Sequence, residues 1–267
     1  AGENGWDVFV YEKGGEPVAA LPFSVEKRGL LRLISQPPLT PVSGSLISYP
    51  ADASYQRRLA LDKEAMSFFA DAAAGYGVDG FEQNLHYRVG NWLPFHWKGF
   101  DQTTRYSYRL SLEEDEEALF AGLAKRVRRN IRDFEKSGFE IASGGDAGLL
   151  HRLLGRTFAR KGKGLSLSVD LLSSVQRACA ERGCGEIFYA TDEDGRSLSA
   201  LFLVWDERDA YYLLGGNDVD RSAGMAGAAL LWHAVLEAKR HGLAVFDFEG
   251  SMIESVEHFF RGFGARQ

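Results

Sequence analysis

At 267 residues, 45% of them hydrophobic and 25% charged, the chain has the profile of a folded globular protein with room for one large or two ordinary domains. A net charge of −6 argues against a generic nucleic-acid binder, which draws its affinity from a broad basic field. No apolar run reaches the roughly 18 residues of a membrane span, and no secretory signal is legible, so a cytoplasmic location is expected.

The chain starts at Ala1 without a methionine and almost directly in a strand, which predicts residues trimmed from a longer N-terminus. Val8 to Tyr11, a turn at Lys13-Gly14-Gly15-Glu16 and Val18 to Val25 read as strand, hairpin and strand. A Pro-rich segment, Gln36 to Gly44, precedes a long helix over Tyr55 to Gly75, and Gly77 to Phe81-Glu82 closes the unit. The second half repeats this order: Phe188 to Thr191, a turn at Asp192 to Gly195, Leu198 to Trp205, a helix over Ala226 to Gly242, and Gly242 to Phe246-Asp247. A constant offset lays Gly15 on Gly195 and Leu31 and Leu33 on Tyr211 and Leu213, and the surplus of the first half falls in its Pro-rich segment. Two copies imply an α/β (α+β) protein of two units, residues 1–105 and 106–267, each a mostly antiparallel mixed sheet flanked by helices.

Between the copies one helix is expected over Glu113 to Ser137, with Phe120, Ala124, Val127, Ile131 and Phe134 on its packed face. Lys125, Arg128, Arg129, Arg132 and Lys136 share another stripe. The acidic start and basic end match the helix dipole, but five bases on one stripe exceed that need and make Arg128, Arg129 and Arg132 candidate anion binders. A short strand at Phe139 to Ala142 and helices near Asp146 to Arg160 and Val169 to Arg182 follow. The loop Arg160 to Leu165 carries Lys161 and Lys163; it is either a mobile surface connection or a lid over an anionic substrate.

The densest chemical signal lies near the end. Arg221-Ser222-Ala223-Gly224-Met225-Ala226-Gly227 puts glycines at a helix start, where unpaired N–H groups and the positive dipole end favour a phosphate. The first copy has Pro50 to Tyr55 there instead, so the cradle belongs to the second unit alone. Asp247 and Glu249 alternate with Phe246 and Phe248, which places both carboxylates on one face of a strand as base or acceptor-binding groups. Of Tyr211 and Tyr212, one is expected to face the site. His233, within an apolar helix run, reads as structural, and Cys179 and Cys184 as reduced thiols. Neither histidines nor carboxylates show metal-ligand spacing, so no metal is expected.

Arg221-x-x-Gly224-x-Ala226 resembles the (Gln/Arg)-x-x-Gly-x-(Gly/Ala) turn with which GNAT-fold acyltransferases hold the pyrophosphate of acyl-coenzyme A. The basic run Arg128 to Gly138, Phe246 to Ser251 and Phe259-Phe260-Arg261-Gly262-Phe263-Gly264 together resemble the FemAB family, a tandem-GNAT group, over nearly the whole chain. The resemblance implies a degenerate first GNAT-like unit, a second unit holding the donor at Arg221, Gly224, Ala226 and Gly227, and N-acyl transfer to a primary amine. It also implies no permanently bound cofactor; the donor is acyl-coenzyme A or aminoacyl-tRNA, and the acceptor an amine-bearing peptidoglycan or polysaccharide precursor. Where the family reads Phe-Lys-x-x-Phe-Gly, Phe260 replaces the lysine and Arg261 follows it, which counts against a tRNA donor. Asp247, Glu249, Tyr212 and Arg261 are the catalytic candidates. The competing expectation is a non-catalytic binding module on a degenerate acyltransferase fold, recognising an anionic ligand or RNA.

Overall fold

A computed structural model describes residues 5–219, 222–250 and 252–267. The chain divides into two compact units, Ala1–Thr104 and Arg105–Gln267.

The first unit runs β1 (Trp6–Lys13), β2 (Glu16–Arg28), β3 (Leu31–Ser35), β4 (Leu46–Ile47), α1 (Tyr55–Gly75), β5 (Gly80–Phe81) and α2 (Leu93–Trp97). Its sheet has the order β1-β2-β3-β5, antiparallel except for the parallel β3–β5 pair, with β4 beside β2. Gly14 and Gly15 both take positive φ (67° and 86°), the geometry a two-residue hairpin needs to follow strand twist. Alternation along β2 buries Ala19, Leu21 and Phe23. Helix α1 covers that face with Ala65, Met66, Phe69, Ala70 and Ala73, a three-four spacing that makes one stripe. The Ser54 side chain accepts from the Arg57 N–H and starts the helix.

The second unit runs β6 (Arg109–Ser111), α3 (Glu116–Gly122), α4 (Lys125–Glu135), β7 (Glu140–Ala142), α5 (Ala147–Arg160), α6 (Val169–Arg182), β8 (Gly185–Thr191), β9 (Ser197–Trp205), β10 (Asp209–Asn217), α7 (Ala223–Arg240), β11 (Val245–Asp247) and α8 (Glu254–Arg261). Its sheet order is β6-β11-β10-β9-β8-β7, and β10–β11 is its parallel pair. Strand β9 buries Leu198 to Leu203 without a break because α5 and α7 both pack on it. Helix α7 is correspondingly apolar around most of its girth, from Ala226 through Trp232 to Ala238.

The internal duplication is visible in the pairing. Two antiparallel pairs, a helix and a parallel return describe both β1-β2-β3-α1-β5 and β8-β9-β10-α7-β11. Ile34 opposes Phe81 as Ala210 opposes Phe246, so Ile34 corresponds to Ala210 rather than to the Leu214 that the constant offset selects. The helix expected over Glu113 to Ser137 is in fact two. Leu123 and Ala124 are extended (ψ 145° and 147°), which turns Leu123 into the core at 2% exposure. A Cβ on Gly264 would lie 3.0 Å from the Gly122 carbonyl, and the Ala124 N–H donates to Gly262, so the returning C-terminal segment occupies the space a continuous helix would need. The acidic run supplies the cap: Asp115 accepts from the Ala118 N–H at 2.8 Å, with Glu116 and Glu117 in the first turn.

Candidate active site

Strands β10 and β11 pair over only three rungs, Asp209 with Val245, Ala210 with Phe246 and Tyr211 with Asp247. Beyond Tyr211, β10 continues to Asn217 while β11 has ended, so the pairing of the two strands stops on the carboxyl side of a parallel pair, where ligands of open α/β sheets bind. A register shift between Tyr212 and Leu214 leaves Leu213 without a partner residue on β9. A Cβ on Gly215 would fall 1.6 Å from Tyr212 Oη, and one on Gly216 2.4 Å from the Leu154 nitrogen of α5, so both glycines are dictated by space.

Asp247 is 6% exposed and held from several sides. Ser107 donates to its Oδ1, as does the Glu249 N–H at 2.8 Å, and Arg109 Nε lies 3.5 Å from Oδ2. Arg109 also reaches Asp209, 3.3 Å away on β10. The carboxylate therefore ties β6, β10 and the end of β11 together. Glu249 does not continue the strand alternation. It takes φ +60°, followed by Gly250 at +61°, and a Cβ on Gly250 would lie 1.9 Å from the Tyr106 carbonyl. The backbone thus turns sharply beneath residues 106–107, and the expected single face carrying both carboxylates ends at Asp247. A left-handed non-glycine residue costs roughly 1–3 kcal/mol, and such strain gathers at functional positions. Among the described residues, Glu249 Oε2 is buried without a hydrogen-bond partner. Burial first, then the Asp247 charge, pushes its carboxyl up to about 8.

Tyr212 packs edge-on against Phe260, ring centroids 5.7 Å apart, and burial pushes its hydroxyl up to about 12. Tyr211 turns its hydroxyl to Asp206 at 3.1 Å, and burial raises its pKa as well. Phe260 is 4% exposed and joins Phe248 and Phe259 in an aromatic cluster, so the residue standing at the family's lysine position serves packing. Arg261 points outward and pairs within its own helix, 3.0 Å from Glu257 and 3.2 Å from His258 Nδ1.

Helix α7 begins at Ala223, three residues before the expected Ala226, which places Gly224 in its first turn. Among the described residues no side chain caps this end. Among the described residues nothing lies within 4 Å of a Cβ built on Gly224, so none of them requires a glycine there, whereas one on Gly227 would meet Asn217 Oδ1 at 2.7 Å. Ala226 is fully buried. Arg221 and Ser251 lie outside the described residues. Just before the turn, Asp218 is 1% exposed and receives Arg156 at 2.7 Å and Arg196 at 2.8 Å, with the Val219 N–H on its other oxygen at 2.6 Å. Burial opposes its ionisation, but these partners hold its pKa below the usual value. Sequence reasoning passed over Asp218, Ser107, Arg109 and Asp209, because nothing local separates a buried anchoring aspartate from a solvated one.

The expected anion-binding stripe on α4 is partly engaged. Arg128 donates to the Ala121 carbonyl at 2.7 Å, and Arg132 sits 5.5 Å from the Phe120 ring centre, while Arg129 is exposed. Lys161 and Lys163 are exposed in the α5–α6 connection. His233 packs edge-on against Phe188, and burial lowers its pKa. Among the described residues no group of three His, Cys, Asp or Glu converges as a metal site, and no helix is long and apolar enough to cross a membrane.

A family profile described as an acetyltransferase (GNAT) domain matches residues 121–260. The chain belongs to the GNAT acetyltransferase family. The matched span takes in β10, α7, β11 and most of α8, and the class of activity is N-acyl transfer. Solved structures extend the fold to the first unit. FemX superposes with a TM-score of 0.67 at 15% identity, covering 98% of this chain and 86% of its own. L-PGS from Bacillus licheniformis gives 0.54 at 16% identity over 91% and 67%. A tandem GNAT protein from the clavulanic acid biosynthesis pathway gives 0.56 at 13% identity over 98% and 79%. At such identities the likeness is one of fold, and that fold is the tandem GNAT fold expected from the FemAB resemblance. No curated protein sequence matches the chain.

Proposed function

We propose that the second unit transfers an acyl group from acyl-coenzyme A to a primary amine, with Glu249 as the general base. The observation that carries this reading is the Glu249 carboxyl, buried, unpartnered at Oε2 among the described residues and poised near neutral pH where β10 and β11 part. The amine nitrogen gives its proton to Glu249 as it attacks the thioester carbonyl. The oxyanion is met by the backbone N–H at the β10 bulge, where Leu213 has no ladder partner. Tyr212, protonated at any working pH, returns a proton to the departing thiolate as the tetrahedral carbon collapses to an amide. Asp247 holds the Glu249 backbone in place.

The pyrophosphate of the donor meets the start of α7 at Gly224, with Arg221, Ala226 and Gly227 of the glycine turn as the other donor-binding residues. Coenzyme A is favoured over aminoacyl-tRNA because Phe260 is buried in an aromatic cluster, Arg261 is engaged with Glu257, and Arg128 and Arg132 have local partners. Arg129, Lys161 and Lys163 remain for anionic groups of the acceptor. A peptidoglycan or polysaccharide precursor handled in the cytoplasm fits that chemistry. Parallel isothermal titrations with coenzyme A, acetyl-coenzyme A and a charged tRNA test the donor, with Gly224→Gln as the control for the cradle. Coenzyme A should bind the parent and not the variant. Binding to none of the three would refute an acyl-transfer donor site, and binding to the tRNA alone would transfer the reading to an aminoacyl donor.

A further inference from the structure

The two cysteines of the chain, which acyl transfer does not use, meet where α6 ends. Gly183 takes the left-handed conformation (φ 61°, ψ 32°), and two backbone bonds close the turn around it. The Gly183 N–H donates to the Ala180 carbonyl at 3.1 Å, and the Cys184 N–H to the Cys179 carbonyl at 3.0 Å. This closure is the Schellman motif, whose two end residues bring their side chains into contact. An apolar pair is usual at those positions, and here both carry thiols.

The strand side holds the pair in place. The Cys184 carbonyl accepts from the Trp205 N–H at 2.9 Å. A Cβ on Gly185, the first residue of β8, would lie 3.0 Å from Cys179 Cβ, so that glycine leaves room for the cysteine side chain. Both cysteines are free and half-buried, and Leu172 is the one buried residue of α6, so the helix lies at the surface of its unit. Contact, a fixed backbone and access to small reagents therefore coincide.

We infer that Cys179 and Cys184 form a redox-sensitive modification site, a dithiol that a small-molecule disulfide of the glutathione class oxidises to an internal disulfide across the α6–β8 turn. Cys184 gives up its proton and its thiolate attacks one sulfur of the reagent; a mixed disulfide forms, and the reagent's other sulfur leaves as thiolate with the bonding pair. Cys179 then attacks Cys184 Sγ, its proton passes to the second departing thiolate, and the internal bond closes. Two protein thiols and one reagent disulfide become one protein disulfide and two reagent thiols. The order follows from burial, which pushes the Cys179 thiol up to about 11, with Cys184 beside it adding to the rise; the thiolate is the attacking form. The site is independent of the acyl-donor reading.

The test equilibrates the full chain with reduced and oxidised glutathione in graded ratios, native and in urea, and reads intact mass and peptide maps. The native chain should lose the mass of two hydrogens and yield a cross-linked Cys179–Cys184 peptide that dithiothreitol restores. Because the fold holds the sulfurs together, oxidation should be favoured in the native chain over the urea-unfolded chain by at least about tenfold in equilibrium constant. By the same linkage the oxidised chain should unfold at higher urea than the reduced one. Cys179→Ser should stop at a mixed disulfide on Cys184. Thiols that react only after unfolding, a native end point with glutathione on both cysteines, or an equilibrium constant no greater than in urea overturns the proposal. If the variant fails to fold, the comparison of native and unfolded parent decides.

Discussion

Glu249→Gln tests the proposed base through two readouts that do not depend on each other. Burial, and after it the Asp247 charge, raises the carboxyl from 4.5 to about 8. The unfolded chain gives up this proton near 4.5, whereas the folded chain keeps it until about pH 8. Over that window the native state binds the extra proton, so stability falls as pH rises, by at most about 1.4 kcal/mol per pH unit, and levels off above pH 8. Glutamine cannot ionise and removes this slope. Urea unfolding midpoints followed from about pH 5.5 to 8.5 should show the variant gaining on the parent by about 3 kcal/mol across the range. In the acylation assay the parent's kcat/KM should rise with pH to a plateau beginning near 8, and the variant should lose roughly 10²–10⁴-fold. Equal pH slopes in the two proteins would mean that Glu249 ionises normally, and an unchanged rate profile would remove it from the chemistry.

Gly216→Ala should cost about 2 kcal/mol or more in denaturant unfolding, since its Cβ meets the α5 backbone at 2.4 Å, while Gly224→Ala should be neutral or stabilising by up to about 1 kcal/mol. Asp218→Asn should destabilise by about 2 kcal/mol at neutral pH, because Arg156 and Arg196, each about half exposed, lose a buried charged acceptor. Asp218 has a lowered pKa, so its contribution is present above 3.8 and disappears as pH falls through its lower folded value; the variant's stability should vary less with pH at that acid end. Arg129→Ala, an exposed change, should leave stability within about 0.5 kcal/mol but raise the KM of an anionic acceptor with kcat preserved. A fall in kcat alone would contradict an acceptor-binding role.

Much of the architecture was open to a reader of the sequence, because it rests on local periodicity and on repetition. Helix α1 spans the expected Tyr55–Gly75, and α5 and α6 fall where helices near Asp146 to Arg160 and Val169 to Arg182 were expected, with Ser54, Asp146 and Ser168 as their caps. Periodicity failed at Leu123 and Ala124, where a helical pattern continues but the Gly262 to Gly264 segment, far away in sequence, claims the space.

By itself the sequence determined the two-fold repeat of strand, hairpin, strand and helix, the placing of the glycine turn in the second copy alone, and the pair of carboxylates after Phe246. Tertiary structure decided what those carboxylates are. Asp247 and Glu249 look equivalent in an alternating string, yet Ser107, just before β6, and Arg109 on β6 bind the first, and the approach of residues 106 and 107 to Gly250 bends the second out of the strand. The proton affinity of Glu249 is set by groups brought around it from across the fold, and such desolvation cannot be read from neighbours in sequence.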